Sequence, residues 1–459
     1  MKLNSAILVF VCLSLLACKK DDGFPPFVPP PPVTGDTLPA QYGTPFANVP
    51  DRRDATIYQV NVRSFSQQGN LAGVTARLDS IRAMGVNVLY LMPVYPVGTV
   101  NAINSPYSVK DYTAVNTEFG SMADLRALVD GAHSRNMSVM LDWVANHTAW
   151  DHPWITAHKD WYVQTATGNI SNPPGYTDVA QLNFNNAAMR REMIRSMKYW
   201  VYAANVDGFR FDFADNPPVD FWKQAVDSLR NITSHKLLLM AEGGRTANFS
   251  AGFDYNFGFS FFDALKNVYT GNGLATTFDA LNTSTYIGSG NGQQVVRYTS
   301  NHDVNSSDGT PLELFGGQTG SLSAFVIAAY MKGVPMIYGG QETGTPYRLV
   351  FPFTASKIDW TLNPSLKAEY KKIIAFRNSS DAIRRGTVVS YGTADVTAFV
   401  REQSGEKVVV IVNVRNSVVS YGVPAALAGT WKNAFTGETV SLGATLSLQP
   451  YSCLVLKNG

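Results

Sequence analysis

The sequence is poor in cysteine, in histidine and in charge. Its 459 residues include 3 cysteines and 6 histidines, and only 16% are Asp, Glu, Lys or Arg. The formal net charge is +2, and no long run of one sign occurs. Nucleic-acid binding and electrostatic attachment to a membrane both need a basic surface. The composition therefore argues against both, and we expect no nucleic-acid partner.

The few cysteines also exclude a disulfide framework. Two of the three lie in or directly after a targeting segment, and the one that remains cannot form a disulfide within the mature chain. Residues 1–17 contain the apolar run AILVFVCLSLLA, which is too short to span a bilayer as a finished helix. LLAC resembles a bacterial lipobox, which implies cleavage before Cys18 and a lipid anchor on its sulfur. The next residues, KKDDG, resemble the export tag of some Bacteroidetes lipoproteins. We expect an outer-membrane lipoprotein facing the cell exterior; the alternatives are a periplasm-facing lipoprotein and an ordinary signal peptide with a chance cysteine.

Residues 18–50 predict a lipid-anchored linker. The run FPPFVPPPPVTG carries six prolines between Pro25 and Pro32. Such a run neither pairs as a strand nor continues a helix, so it forms an extended, semi-rigid spacer. We expect ordered structure from about Asp51. With 45% hydrophobic residues, the remaining chain can bury a large core and is too long for one average domain.

From there the sequence alternates short apolar runs with helical stretches. Eight runs read as strands: TIYQVNV, VNVLYLM, MSVMLDWV, VDGFRFD, LLLMAEG, FDYNFGF, VVRYTS and VPMIYG. Several are continuously apolar, as parallel strands covered on both faces should be. The segment SMADLRALVDGAHSRN reads as a helix that Ser121 caps, with Asp124 three residues on. We therefore predict an α/β fold with a (β/α)8 TIM barrel over residues 51–384.

Two regions depart from this alternation. Residues 148–185 are rich in Trp, Pro, Gly and Asn and predict an insertion after the third barrel strand. After about Arg385 the pattern changes to hairpins such as EKVVVIVNVRNSVVSYG. Residues 385–459 therefore predict a separate antiparallel β-sandwich domain.

Polar side chains follow four of the predicted strands. They are Asp142, Asn146 and His147 after the third, Arg210 and Asp212 at the fourth, Glu242 at the fifth, and His302 and Asp303 at the seventh. The carboxyl ends of barrel strands meet at one mouth, where this fold places its chemistry. Arg210 and Asp212 in GFRFDFA could form a buried ion pair with each other alone. The convergence of the other polar groups at the same mouth favours a shared site instead.

Carboxyl groups at one mouth fit the cleavage of an acetal. That reaction needs a proton for the leaving oxygen and negative charge beside the carbon that becomes oxocarbenium-like. Two carboxyl groups in different environments can divide the tasks, one protonated and one ionised. A third acidic group is more than hydrolysis itself requires.

These four motifs resemble the α-amylase family of glycoside hydrolases, family 13, from about Thr56 to the C-terminal sandwich. The resemblance implies a retaining reaction. It also implies a role for each residue: Asp212 as nucleophile, Glu242 as general acid/base, Asp303 as the carboxylate that orients substrate hydroxyls, Arg210 as the cation that keeps Asp212 ionised, His147 and His302 as hydrogen-bond donors to the sugar, Tyr107 in SPYSVKDY as the stacking platform, and Asp142 as a further substrate-binding group.

Two departures from the family pattern bear on the aglycone subsites and on calcium. Many relatives have Lys-His after the nucleophile motif, where this chain has Asp215 and Asn216. An acidic residue usually precedes Leu-Asn in the insertion, but VAQLN offers Gln181. Calcium prefers several carboxylate and carbonyl oxygens, so losing one weakens the structural site. Asn146 remains a candidate ligand and Asp178 a substitute, while the chemistry itself needs no cofactor.

Three functions remain open. The first is hydrolysis of α-glucans such as starch and maltooligosaccharides, with α-1,4 cleavage through a covalent glycosyl-enzyme intermediate. The second is transglycosylation, which uses the same residues and differs only in whether water or a sugar attacks. The third is a non-catalytic surface glycan-binding protein. The expected partners are the α-glucan, the membrane through the lipid, and other surface glycan-uptake proteins.

Overall fold

The structure is a computed structural model that describes residues 37–290 and 292–459. The signal segment 1–17, the lipid site Cys18 and the Pro-rich run lie outside these residues, so the expectations stated for them stay predictions. Leu38–Gly459 form one compact unit.

The described chain folds into strands and helices in a mostly alternating order. The strands are β1 (Ile57–Val60), β2 (Val88–Leu91), β3 (Ser138–Trp143), β4 (His147–Ala149), β5 (Val179–Gln181), β6 (Gly208–Phe211), β7 (Leu238–Ala241), β8 (Tyr255–Phe257), β9 (Gln294–Tyr298), β10 (Val334–Tyr338), β11 (Thr387–Ser390), β12 (Val396–Gln403), β13 (Glu406–Asn413), β14 (Val419–Gly422), β15 (Gly429–Asn433), β16 (Thr439–Leu442), β17 (Thr445–Leu448) and β18 (Cys453–Lys457).

The α-helices are α1 (Val62–Phe65), α2 (Leu71–Thr75), α3 (Leu78–Arg82), α4 (Met122–His133), α5 (Trp154–Ala157), α6 (Ala187–Ala204), α7 (Val219–Arg230), α8 (Ala247–Ser250), α9 (Phe259–Tyr269), α10 (Thr277–Ser284), α11 (His302–Ser307), α12 (Pro311–Leu314), α13 (Gly317–Tyr330), α14 (Pro364–Ser379) and α15 (Asp381–Arg385). None of the helices in the described ranges is both long enough and apolar enough to cross a membrane.

The eight predicted strands close into a parallel barrel. Its order is β1, β10, β9, β8, β7, β6, β3, β2, and every neighbouring pair is parallel. The strands are almost entirely buried, as their continuous apolar runs predict. The predicted (β/α)8 barrel is therefore confirmed, including its three-residue sixth strand, β8.

Local sequence signals determine where α4, one of the outer helices, begins and which face it buries. Ser121 and Asp124 form the predicted capping box at the start of α4, where each side chain bonds the other residue's backbone N–H. The buried face of α4 carries Leu125, Leu128, Val129 and Ala132, whose spacing of three and four residues makes one stripe. This stripe holds α4 in place, and α4 leads into β3. The position of α4 therefore helps to set where the residues that follow β3 lie at the barrel mouth.

A close approach fixes β6 against β7. Gly208 begins β6 with φ of +154°, and a Cβ there would lie 1.9 Å from the carbonyl oxygen of Leu238. Only glycine fits at this separation. From that point the two strands run in register, with Gly208 opposite Leu238 and Phe211 opposite Ala241.

The insertion after β3 carries its own antiparallel pair, β4 and β5. His147 pairs with Gln181 and Ala149 pairs with Val179. The pair ties the start of the insertion to its end beside the barrel mouth. It also brings Gln181 next to the mouth residues that follow β3.

The C-terminal region is antiparallel, as predicted. β11, β12, β13, β18, β15 and β16 form a six-stranded sheet, and β14 pairs with β17. A separate small core forms here and includes Val396, Val409, Ile411, Tyr421 and Leu456. The alternating apolar residues of β12 and β13 supply both the barrel-side core and this one.

Candidate active site

Most of the predicted site residues line one cavity of about 570 Å³ at the barrel mouth. They are Tyr107, Asn146, His147, Asp212, Glu242, His302 and Asp303. These residues come from several different βα connections and meet because all the strand ends face the same way. Arg210 and Asp142 are fully buried below the cavity.

Arg210 joins the two carboxyl groups expected to do the chemistry. Its Nη1 lies 3.1 Å from Asp212 Oδ1, and its Nη2 contacts Glu242 Oε1. A guanidinium presents its N–H groups in a rigid fork, so one residue fixes both carboxylates. The charges within GFRFDFA therefore belong to a shared site.

Strand register sets the spacing of this pair. Phe211 and Ala241 are paired, and Asp212 and Glu242 each follow directly. The backbone N–H of Glu242 donates to the carbonyl of Phe211 at 2.9 Å, which continues the ladder by one step. Neighbouring strands lie about 4.8 Å apart. The register therefore places Asp212 and Glu242 side by side on adjacent strand ends at the mouth.

The two carboxyl groups hold protons more strongly than free ones do. Burial raises the pKa of Asp212 well above its ordinary value, and the nearby Glu242 raises it further. Burial likewise raises the pKa of Glu242. Arg210 lowers both pKa values, as expected, but burial outweighs it. The pair therefore retains a proton more readily than isolated carboxylates, which a general acid needs.

His302 is held neutral and oriented. Burial, with a smaller contribution from Arg210, lowers its pKa to about 4. Nε2 of Gln59 donates to Nδ1 of His302 at 2.8 Å, so the imidazole carries its proton on Nε2. That proton points to the Tyr107 hydroxyl, 2.7 Å away, and the rings of Tyr107 and His302 stack.

The predicted substrate-binding role of Asp142 is wrong. Its side chain is 0% exposed, and both of its oxygens are occupied. Oδ1 accepts from Arg210 at 2.7 Å, while Oδ2 accepts from the hydroxyls of Tyr90 and Tyr107 at 2.7 and 3.0 Å. Asp142 lies under the site and positions Arg210 and Tyr107. Arg210, which was also grouped with the substrate-binding residues, is 0% exposed and positions the carboxyl groups without reaching the cavity.

Asp303 and His147 complete the walls of the cavity. The Asp303 side chain is 62% exposed and lies 3.3 Å from Nε2 of His302. Although much of it faces the open cavity, the enclosing protein raises the pKa of its carboxyl group. Burial lowers the pKa of His147 to about 4, so this side chain is neutral near pH 7. Both can exchange hydrogen bonds with hydroxyl groups of a neutral ligand.

Asn146, the predicted metal ligand, is held by amide groups. Its Oδ1 accepts from Nδ2 of Asn216 at 2.6 Å and from Nε2 of Gln181 at 3.1 Å. Gln181 Nε2 also donates to the backbone carbonyls of Asn146 and Leu182, at 3.0 and 3.2 Å. Amide N–H donors thus fill the place among these oxygens that a cation would take. The donor set does not fit calcium, which needs oxygen ligands free to face the ion.

Asp178, the expected substitute for the missing carboxylate, lies away from Gln181. It lies beyond Val179, at the opposite end of the β4–β5 pair from Gln181, and three residues of strand span about 10 Å. Across residues 37–290 and 292–459, no group of three or more His, Cys, Asp or Glu side chains is placed to hold a metal ion. The substitution by Asp178 therefore stays a prediction, with Asp178 placed beyond the far end of the β4–β5 pair from Gln181.

Sequence reasoning missed several residues at the site, among them Gln59, Tyr90, Phe213 and Tyr176. Gln59 and Tyr90 are buried polar groups inside barrel strands, and a polar residue in the apolar run TIYQVNV was a usable signal. Phe213 and Tyr176 line the cavity and are 42% and 55% exposed. No sequence signal distinguishes them from core aromatics.

Residues 42–175 match the family of the alpha amylase catalytic domain, and residues 389–459 match the alpha amylase C-terminal all-beta domain. An alpha-amylase of Haloarcula japonica is 26% identical over 395 residues, covering 82% of this chain and 58% of that protein. Alpha-amylase 3 of Dictyoglomus thermophilum is 25% identical, and the alignment covers 80% of this chain and 86% of that protein. The chain thus spans under two thirds of the first relative.

A crystal structure of an alpha-amylase from Lactobacillus plantarum has a TM-score of 0.80 at 25% identity, covering 89% of this chain and 99% of that one. Shorter alignments, over 35% and 38% of this chain, reach an oligo-1,6-glucosidase of Parageobacillus thermoglucosidasius and an alpha-1,4-glucan:maltose-1-phosphate maltosyltransferase of Corynebacterium pseudotuberculosis. The fold and the two matched segments agree: the chain is similar to the alpha amylase catalytic domain over residues 42–175 and to the alpha amylase C-terminal all-beta domain over residues 389–459.

Proposed function

We propose that this protein is a retaining α-glycosidase that hydrolyses α-glucans, with α-1,4 linkages as the first substrate. The observation that carries the proposal is the Arg210 fork, which holds Asp212 and Glu242 on adjacent strand ends in one register. The names of the relatives support an α-glucan substrate.

In the first step Asp212 attacks the anomeric carbon while Glu242 gives its proton to the glycosidic oxygen. The bond to the leaving sugar breaks, and a covalent glycosyl-Asp212 intermediate forms. In the second step Glu242, now a carboxylate, takes a proton from water. The water oxygen attacks the anomeric carbon and releases Asp212, so the α configuration is retained.

The neighbouring groups fit a neutral, hydroxyl-rich substrate. Tyr107 offers an aromatic face that His302 and Asp142 hold in place. Neutral His147 lies in the cavity wall and Asp303 accepts from sugar hydroxyls, while His302, whose Nε2 proton goes to the Tyr107 hydroxyl, holds that aromatic ring in place. Hydrogen bonds that shorten as the ring distorts stabilise the transition state more than the ground state.

The test is a pair of isosteric variants, Asp212→Asn and Glu242→Gln, with maltooligosaccharide cleavage as the readout. Each should lose several orders of magnitude in turnover and keep its fold, because each removes one half of the chemistry. A variant that keeps more than about a tenth of wild-type turnover, which is under ~1.4 kcal/mol on the barrier, refutes the role assigned to that residue.

Transfer to a sugar acceptor is the second candidate. It is favoured by the maltosyltransferase among the relatives. Incubation with maltotriose separates the two, because transfer yields chains longer than the substrate and hydrolysis does not. A non-catalytic glycan-binding role is disfavoured because all three carboxylates line the cavity.

We also propose that the insertion is joined to the barrel without calcium, with Gln181 and Asn216 donating to the oxygens of Asn146. The localisation proposal rests on the sequence alone. LLACKKDDG supports a lipid anchor at Cys18 and an outward-facing outer-membrane lipoprotein, where large glucans and other surface glycan-uptake proteins are accessible.

A further inference from the structure

A second cavity lies away from the barrel mouth, where the barrel meets the C-terminal domain. Its volume is about 550 Å³. Asn282 of α10 and Lys332, between α13 and β10, line it from the barrel side. Arg385, at the end of α15, and Thr387, at the start of β11, line it from the other side. None of the residues that line the mouth cavity lines this one, so the two sites are separate.

Two buried arginines contact the wall of this cavity from behind. Arg297 of β9 and Arg401 of β12 are 0% and 2% exposed. Arg297 donates through Nη2 to Asn282 Oδ1 at 2.9 Å, and Arg401 donates through Nη2 to the carbonyl of Gly386 at 2.9 Å. Within the described chain, Nε and Nη1 of Arg297 and Nε of Arg401 have no hydrogen-bond partner. Both guanidinium groups are therefore held in place but only partly satisfied.

The positive charge of this region is not balanced by neighbouring carboxylates. Burial lowers the pKa of Arg297 to about 10 and that of Arg401 to about 9, and no carboxylate of the described chain forms an ion pair with either. Burial also lowers the pKa of Lys332, and the two arginines lower it further. Lys332 Nζ donates only to the backbone carbonyl of Asn282, at 3.0 Å. Three cations thus lie close together, and a buried charge without a counter-ion is costly.

Little negative charge opposes these cations. Asp279 is a carboxylate on the cavity wall, and it accepts a hydrogen bond from the Ser390 hydroxyl. Arg385, also on the wall, is already paired with Asp54. The Asn282 side chain is 8% exposed, and its Nδ2 donates to no acceptor among the described residues. The wall combines an excess of positive charge with a buried donor that lacks an acceptor, and an anion would satisfy both.

We propose that this cavity binds a small oxyanion of the phosphate class between the barrel and the C-terminal domain. A phosphate offers several acceptor oxygens, which can take hydrogen bonds from the Lys332 ammonium and the Asn282 amide at the same time. Arg297, fixed against Asn282, adds its charge from below the wall. The cavity shares no lining residue with the mouth, so the inference does not depend on the proposed glycosidase function.

The probe for this site is inorganic phosphate, titrated into the purified protein by calorimetry. Phosphate should bind saturably with one site per chain, whereas chloride at matched ionic strength should give no saturable heat. Lys332→Met removes the ammonium, and Asn282→Asp places a carboxylate beside Arg297; each should weaken phosphate binding at least about tenfold. Without phosphate, Asn282→Asp should melt at a higher temperature than wild type, because its carboxylate takes the place of the anion.

Lys198→Met is the matched control, because Lys198 is a half-buried lysine on α6 that does not line the cavity. It should bind phosphate as wild type does. Phosphate also stabilises many proteins by exclusion from their surface, so binding heat, and not a shared rise in melting temperature, decides the test. No saturable heat with wild type, an equal response to chloride, or unchanged phosphate affinity in Lys332→Met or Asn282→Asp would overturn the proposal. If one of these variants fails to fold, the other and the wild-type titration still decide.

Discussion

The hydroxyl of Tyr107 lies 2.7 Å from Nε2 of His302, and the two rings stack with centroids 5.3 Å apart. The residues are 195 positions apart in the chain, and each side chain limits the orientation of the other. Because Tyr107 also donates to Asp142, its side chain is connected to Arg210 and, through it, to Asp212 and Glu242.

Tyr107→Phe should keep the stacked ring but lose the hydroxyl that joins His302 to Asp142. We expect kcat/KM to fall about tenfold, the value of one or two hydrogen bonds of ~1 kcal/mol each. Tyr95→Phe is the matched control, since the buried Tyr95 hydroxyl has no hydrogen-bond partner among the described residues. Steady-state kinetics that find the two variants equal would show that the Tyr107 hydroxyl does not position the site.

Asp142→Asn should destabilise the protein as well as inactivate it. The change leaves the buried Arg210 with one anionic partner fewer, and breaking a buried ion pair costs about 3 kcal/mol. Asp303→Asn is the comparison: its side chain is 62% exposed, so activity should fall with little change in stability. Urea unfolding of both variants measures the difference, and equal midpoints would contradict the buried positioning role of Asp142.

Glu242→Gln should stabilise the protein near pH 7. Burial raises the pKa of Glu242 in the folded state, so as pH rises above about 4.5 the unfolded chain ionises first and stability falls. The amide of the Gln variant does not ionise, so the variant does not lose stability in this way. Melting temperatures should therefore be higher for Glu242→Gln than for wild type at pH 7 and should converge below about pH 4.

An exposed glutamate provides the control for this pH effect. Glu369, on α14, has a side chain 44% exposed, and Glu369→Gln should leave the pH dependence unchanged. A constant difference between Glu242→Gln and wild type at every pH would mean that hydrogen bonding, and not the titration of Glu242, decides its contribution.

Gln181→Glu should create a dependence on calcium that the wild-type protein lacks. The new carboxylate would face the Asn146 oxygens, repel them without a cation and bind calcium with them. In calorimetric scans, chelator should shift the wild-type melting temperature by no more than a few degrees and lower that of Gln181→Glu, with recovery on adding calcium. A large chelator effect on the wild type would show that other oxygens complete a metal site.

Cys18→Ala should release the protein from the membrane or block its processing, because the proposed lipid anchor would be attached to that sulfur. Cys453→Ala serves as the control, since this cysteine lies in β18 and should not affect fractionation. Surface proteolysis of intact cells tests the outward orientation: a wild-type protein left untouched would place it on the inner side.

The barrel was predictable because apolar runs and strand ends follow from local sequence. All eight strands and the capping box of α4 formed where the pattern indicated. The carboxyl ends of the parallel barrel strands meet at one mouth regardless of the loop sequences. Asp212, Glu242 and Asp303 could therefore be assigned to one site before any distance was known.

The roles of other polar groups depend on partners that are remote in sequence. Asp142 is tied to Tyr90 in β2 and to Tyr107 in the connection after β2, 52 and 35 residues away in the chain, so its motif alone could not reveal that both oxygens are occupied. Gln181 reaches Asn146 only through the β4–β5 pairing. Phe213 resembles a core phenylalanine until its φ of +46° is known, because the amino-acid sequence around it does not indicate a strained backbone conformation.

The contact between Gly208 and the carbonyl of Leu238 bears on engineering of this enzyme. It fixes the two strands that carry Asp212 and Glu242 at their buried ends, away from the loops around the cavity. Mutant libraries can therefore randomise the segment after Phe213 or the insertion around Tyr176 without disturbing the register that places Asp212 beside Glu242. A library that varies Gly208 would instead yield mostly inactive clones, although that residue never touches a sugar.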